Sequence, residues 1–202
     1  AGATFYWKVA PKTQLLFQAK QTEIDYKHVL LTNQDSTETR YYGGATWEAT
    51  ALTSGTVKLG TLKKDFEAHP RYSTGSWDVG VTWSPLTYSH FNLNTNRQTN
   101  EVDSSVGDAV RSSNYALAWK HDWNSVLASN VRMGKLEEDY VLNGSVAGQR
   151  SDSSKTLGLG FDYQARRWLK LGADYSHTDR SSNLGANDFK RNVLMFTAGA
   201  SL

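Results

Sequence analysis

A strand-like segment ends in an aromatic residue just ahead of a short turn at Trp7, Trp47, Trp83, Trp119 and Tyr163, so that one unit recurs every 36 to 44 residues. Each unit has the same plan. Aromatic or aliphatic residues alternate with polar ones, a tight turn follows, and a second alternating stretch fades into polar and charged residues. A period of two gives a β-strand one apolar and one wet face. Hairpins with aromatics at one end and polar loops at the other fit a transmembrane β-barrel, the aromatics forming a girdle near one interface.

A mean hydropathy of −0.56 and 21% charged residues would argue against a helical membrane protein, and no run of 18 apolar residues is present. A barrel escapes that objection, because only every second strand residue meets lipid. The 12% of aromatics, with seven Trp and ten Tyr, suits a barrel better than an ordinary soluble domain of 202 residues. With no cysteine and three prolines the chain has neither disulfide staples nor thiolate metal sites. A formal charge of +2 without a basic run gives no footprint for nucleic acid. The chain opens at Ala1 without a basic, apolar leader, so for an exported protein the signal peptide is expected to be removed or to lie upstream.

Most segments keep their apolar set on one parity. Trp77, Val79, Val81 and Trp83 oppose Asp78, Gly80, Thr82 and Ser84, while Leu157, Leu159, Phe161 and Tyr163 oppose Gly158, Gly160, Asp162 and Gln164. Leu169 to Ser176 and Leu194 to Leu202 alternate in the same way. Leu15 and Leu16 break the rhythm between Gln14 and Lys20, and from Val126 to Arg132 both faces carry small residues. Glycines inside strand patterns, such as Gly43, Gly44, Gly80, Gly158, Gly160, Gly172 and Gly199, are expected to let the sheet bend or to leave room for a larger side chain.

Short links are expected at Pro11–Thr13, Thr53–Gly55, Pro85–Thr87, Trp123–Ser125 and Ala165–Arg167, and longer polar stretches at Leu31–Thr39, Val102–Ser113 and Leu142–Ser151. Short turns face the periplasm and long loops face outside in outer-membrane barrels. The expectation is an all-β, antiparallel up-and-down transmembrane barrel, one domain over residues 1–202, with 10 to 12 strands visible and about 12 when complete, because single-chain barrels usually close on an even number. Counting the alternating segments gives about 11, so either a strand escapes the pattern or residues upstream of Ala1 supply it.

In such a barrel the polar parity defines the lumen. Its candidate lining residues are Lys8, Lys20, Glu48, Lys58, Asp78, Lys120, Asp122, Arg132, Asp162, Lys170 and Asp174, together with Gln18, Asn92, Asn94 and Asn130. Both charge signs are interspersed, so these side chains either plug a narrow barrel or line a polar channel, and strand number decides which. Trp7, Trp47, Trp83, Trp123 and Trp168 read as membrane-interface anchors; a sugar-stacking path would need them to point inward. A sandwich or lipocalin-like soluble barrel, its apolar parity facing a sealed core around a small ligand, is the structural competitor.

No catalytic or metal constellation emerges, and no cofactor is expected. His121 and Asp122 fall on opposite faces. His177, Asp179 and Ser181 share a face near the outer end of a strand, which makes them the best catalytic-looking set, yet polar outer rims are built this way. His28, His69 and His90 read as interfacial or solvated, and no His spacing suits zinc.

The segments Val81–Tyr88, Asp162–Ser176, Asp179–Asn183 and Phe189–Asn192 resemble the putative β-barrel porin 2 family. The resemblance spans most of the chain. It implies a bacterial outer-membrane barrel of a kind often linked to exopolysaccharide or biofilm-matrix export, with transport rather than catalysis as its role. Implied partners are outer-membrane lipids, polysaccharide, periplasmic export components and the barrel-insertion machinery. Two departures stand out: members are usually longer, so the chain reads as a C-terminal part or a shortened relative, and they commonly end in an aromatic where this chain has Leu202. A structural or anchoring barrel with a plugged lumen, binding through its outer loops, is the alternative function.

Overall fold

A computed structural model describes residues 1–26, 33, 35–50, 52–102 and 107–201. His28 and Leu202, and parts of the expected loops at 31–39 and 102–113, lie outside the described residues.

Period-two alternation becomes a single antiparallel sheet. Its strands are β1 (Gly2–Ala10), β2 (Thr13–Ile24), β3 (Ser36–Thr50), β4 (Thr53–Phe66), β5 (Tyr72–Leu86), β6 (Ser89–Asn100), β7 (Ala109–Asp122), β8 (Leu127–Val141), β9 (Ser151–Arg166), β10 (Leu169–Ser182) and β11 (Phe189–Ala200). Each strand pairs with its neighbours in sequence, in the order β1 to β11. Among the described residues β1 pairs only with β2, and β11 only with β10, so the eleven-stranded sheet has two free edges. One 3-10 turn, Gly185–Asn187, joins β10 to β11, and no helix among the described residues is long and apolar enough to cross a membrane.

The short links are shorter than the sequence suggests. Thr53–Gly55 belongs to β4, Pro85 and Leu86 to β5, and Ala165 and Arg166 to β9. Pairing resumes beyond a register shift, as Thr50↔Thr53, Leu86↔Ser89 and Leu169↔Arg166. A bulge lets the strands bend and still close on a tight turn, and bulges concentrate at barrel rims. At the other end the connections are long, and the one from β8 to β9 opens with Asn143 and Gly144 at positive φ between the bridged pair Leu142 and Ser145. An Asn-Gly pair is suited to such a primed turn.

Register assigns every side chain to a face. One cross-strand row reads Thr53, Trp83, Phe91, Trp119, Val131, Leu159, Tyr175 and Leu194; another reads Phe5, Phe17, Gly43, Leu59 and Trp77. Large apolar side chains of this face stand in the open, with Phe196 at 73%, Phe5 at 64% and Leu59 at 60% exposure. The opposite face buries Leu16, Tyr42, Leu62, Lys64, Ser76 and Asp152. Leu16 thus explains the broken rhythm of β2: Leu15 stays on the apolar face, while Leu16 packs inward between Tyr6 and Gly44. A soluble barrel would bury the apolar parity, and here that parity is outside.

Candidate functional site: the inward face

The fifteen candidate lining residues all lie on the inward face, opposite the exposed apolar band. Lys58 and Asp78 are register partners on β4 and β5 and form an ion pair of 2.5 Å. They share an open polar cleft of about 450 Å³ with Thr46, Glu48, Ser54, Thr56, Gly80 and Thr82, and Trp47 borders it. Across the sheet, Lys170 meets Asp162 at 3.0 Å, Lys120 meets Asp122 at 3.0 Å, and the Arg132 guanidinium donates to Asp174. Asn92 pairs with Thr82 at 3.0 Å, and Gln18 donates to Thr4. Lys8 and Lys20, on the first two strands, have no carboxylate partner among the described residues.

Several of these contacts step over a strand. Arg132 on β8 reaches Asp174 on β10 above Gly158 and Gly160 of β9; a Cβ on Gly160 would lie 2.4 Å from the Asn130 amide and 2.7 Å from the Asp174 carboxylate. Tyr42 on β3 bonds Ser76 on β5 at 2.5 Å above Gly60. Contacts between alternate strands require curvature towards the face that carries them, so the polar face is concave.

At the outer end the concavity is bridged. The fully buried Lys64 of β4 donates to Glu101 beyond β6, and the Tyr26 phenol, beyond β2, reaches the same carboxylate at 2.6 Å. Burial, then the hydrogen bond and charge of Glu101, push the Tyr26 phenol above its ordinary range. Asp152 of β9 lies among Arg150, Ser182 and Arg180. Burial alone would raise its pKa, but hydrogen bonds from Arg150, Ser182 and Arg180 and the charge of Arg150 outweigh that and hold it at about 2. Arg180 also reaches Glu138 on β8 at 3.2 Å.

Three outer connections fold together over a small apolar cluster of Phe66, Tyr72, Ala109 and Val141, with Val146 against it. His69 packs edge-on to Phe66 and lies 3.4 Å from the buried Asp108, whose other oxygen accepts the Asn143 backbone N–H. Of the two expectations for His69, interfacial or solvated, the solvated one does not hold: its side chain is 14% exposed, because the β4–β5 connection turns back onto the other two. Asn143-Gly144 is the sequence signal that marks this structured loop.

The remaining histidines are dispersed. His90 faces inward and meets the Ser84 hydroxyl at 2.8 Å. His121 lies on the outward face between Trp119 and Trp123, with ring centroids at 5.5 and 4.4 Å. His177 shares Asn192 with Tyr175, whereas Asp179 pairs with Lys190 of β11, so the catalytic-looking set of His177, Asp179 and Ser181 is split between different partners. Among the described residues no group of three His, Asp or Glu could hold a metal ion.

Trp7, Trp47 and Trp83 lie on the outward face, and Trp123 and Trp168 in the short turns at the same end. Trp83, Phe91 and Trp119 stack from strand to strand at 5.2 and 6.0 Å. The indole N–H groups of Trp47, Trp119 and Trp123 donate to Thr53, Ser89 and Ser129. By register Trp7, Trp47 and Trp83 face outward, and of the tryptophans only Trp47 also borders the polar cleft beside Lys58 and Asp78, so this cleft holds no row of indoles for stacked sugars.

A family described as "Putative beta-barrel porin 2" has a model that matches residues 2–201. No curated protein matches the sequence. Among solved structures, the outer membrane channel DcaP of Acinetobacter baumannii superposes with a TM-score of 0.61 at 15% identity, over all of this chain and 62% of its own. The FrpB iron transporter of Neisseria meningitidis gives 0.56 at 16% identity, over 89% of this chain and 34% of its own. A loop-deletion form of OmpT, an outer membrane protein of Vibrio cholerae, gives 0.51 at 9% identity, over 98% and 61%. Likeness at this identity carries the fold, and the chain spans less than two thirds of each of these proteins.

Proposed function

Since this chain belongs to the β-barrel porin 2 family of bacterial outer-membrane proteins, we propose that its concave polar face lines a passage for small hydrophilic solutes. Porin-like character and an outer-membrane location come with the family; what passes, and how freely, belongs to the proposal. The observation that carries it is the segregation of paired charges, amides and hydroxyls onto one face of a sheet whose other face is an exposed apolar band. Lys58, Asp78, Arg132, Asp174, Lys120, Asp122, Asp162 and Lys170 form the wall. Such a wall compensates its own charges, so it keeps water without strongly excluding either sign of ion. Lys8, Lys20 and Glu48 complete the wall near β1 to β3, and the indoles and turn tryptophans form the periplasmic aromatic belt.

Polysaccharide passage is a narrower form of the same reading. It would rest on hydroxyl and amide contacts such as Thr82, Asn92 and Asn94, since the indoles belong to the lipid side. A plugged, anchoring barrel is favoured by one specific observation, the Tyr26–Glu101–Lys64 bridge across the outer mouth. The family's character points to a channel without catalysis. The test is single-channel conductance of the full-length natural protein in planar bilayers, with and without added oligosaccharide. Stable steps support the passage, and steps blocked by the sugar extend it to polysaccharide. Electrically silent insertions overturn it in favour of the plugged barrel.

A further inference from the structure

Outward of the apolar band, on the end with the long connections, one row of register partners reads Tyr115, Lys135, Lys155, Asp179 and Lys190. Lys135 and Lys155 are thus directly opposite each other on β8 and β9, an arrangement that destabilises a sheet unless a counter-charge is supplied. The protein supplies only part of it. Lys135 is met by Glu137 of its own strand at 2.5 Å, and Asp179, the partner of Lys155 in register, reaches Lys190 at 3.4 Å. Lys155 is exposed and forms no ion pair among the described residues. Immediately below the two lysines stand Met133 and Leu157, 52% and 40% exposed, the outermost members of the apolar band on these strands. Tyr115 lies beside Lys135, and Tyr175 with His177 holds Asn192 one step below Asp179 and Lys190.

A cationic row on the lipid side of a sheet, resting on exposed apolar residues and flanked by aromatic hydroxyls, matches an anionic headgroup whose acyl chains lie against Met133 and Leu157. Neighbouring strands stand about 4.8 Å apart, close enough for two lysine ammonium groups to flank one phosphate. The long connections mark this end as the outer surface, where the leaflet consists of phosphorylated glycolipid. We propose that Lys135, Lys155 and Lys190 form a binding site for the phosphate of that outer-leaflet glycolipid. The bound phosphate is the counter-charge that Lys155 lacks beside the Glu137-paired Lys135.

The inference rests on the outer-membrane orientation and is independent of whether the lumen conducts. Native mass spectrometry of the full-length protein in detergent, titrated with doubly phosphorylated lipid A, phosphatidylglycerol, phosphatidylcholine or inorganic phosphate, reads it out. The glycolipid should bind in preference to both phospholipids and survive excess inorganic phosphate. Lys135→Gln and Lys155→Gln should each weaken it about fivefold, as expected for one surface lysine facing an anionic membrane. Lys155→Arg should restore binding, and Lys63→Gln, an exposed outward lysine on β4, should leave it unchanged. Heat-modifiable migration on gels confirms that each variant is folded. Equal binding by the glutamine variants, displacement by inorganic phosphate, or equal binding of phosphatidylglycerol overturns the proposal. Loss of glycolipid binding in a barrel that conducts, or its retention in a silent one, separates this site from the proposed passage.

Discussion

The phenol of Tyr42 and the hydroxyl of Ser76 lie 2.5 Å apart on strands that are not neighbours, because Gly60 occupies the crossing point between them. A Cβ at Gly60 would stand 1.8 Å from the Tyr41 carbonyl oxygen, so the close approach of β3 and β4 there depends on the missing side chain. Gly60→Ala should therefore cost about 1–3 kcal/mol through overpacking, whereas Tyr42→Phe, which removes only the hydrogen bond, should cost about 1 kcal/mol. Urea unfolding of the refolded full-length protein, followed by heat-modifiable migration, measures both. Equal stability of Gly60→Ala and wild type would contradict the steric account.

Asp152 ties the outer ends of β8, β9 and β10 together. Its folded pKa of about 2 lies below the ordinary aspartate value of about 3.9. Its contribution to stability is present in full above that ordinary value and is lost as pH falls towards 2. Asp152→Asn should be destabilised by about 1–3 kcal/mol at neutral pH, where Arg150 and Arg180 lose a shared acceptor. The gap from wild type should close between about pH 4 and pH 2. Unfolding midpoints across that range test the sign.

The bridge at the outer mouth has two halves that should respond differently. Glu101→Gln leaves the fully buried Lys64 ammonium without its counter-charge and should cost about 2 kcal/mol or more, while Lys64→Met, which replaces the charge with an apolar side chain of similar length, should be close to neutral. Either change frees the Tyr26–Glu101–Lys64 bridge, so in a conducting barrel both should raise single-channel conductance. A rise in neither variant would mean that the bridge does not constrict the path.

Arg132→Ala removes the guanidinium and leaves the Asp174 carboxylate facing the concave side. Reversal potentials in a salt gradient should then move in the cation-selective direction, with stability falling by about 1 kcal/mol because Arg132 is half-exposed and Asp174 keeps part of its surface in solvent. An unchanged reversal potential would place the pair off the ion path.

The alternation of Trp77 to Ser84 and of Thr156 to Gln164 is enough to read strand, face and barrel from sequence, because lipid and lumen demand opposite chemistry at successive residues. The shared face of the candidate lining residues is legible for the same reason: parity alone puts Lys58, Asp78 and Asp162 on one side of the sheet. Their partners are not. That Arg132 meets Asp174 two strands away depends on register and on Gly158 and Gly160 between them, which no local pattern encodes. The shielding of His69 is not legible either, because beyond its local contact with Phe66 it depends on Asp108, which a connection distant in sequence brings to it. The turn boundaries slipped because a bulge after Trp47 or Trp83 carries pairing past the point where alternation fails.

A sliding error of two residues is the one mistake that a pattern of period two cannot detect: lipid-facing residues still face lipid, and the backbone ladder re-forms intact. The bridges over glycine detect it. Were β4 to slide by two, Lys58 or Leu62 would come to lie beneath the Tyr42–Ser76 bond, where only a hydrogen atom fits. Tyr42, Gly60 and Ser76 thus work as a lock with a single key position, and Arg132, Gly160 and Asp174 as a second one on the far side of the sheet, so misaligned hairpins are rejected by shape where neither hydrophobicity nor hydrogen bonding could reject them.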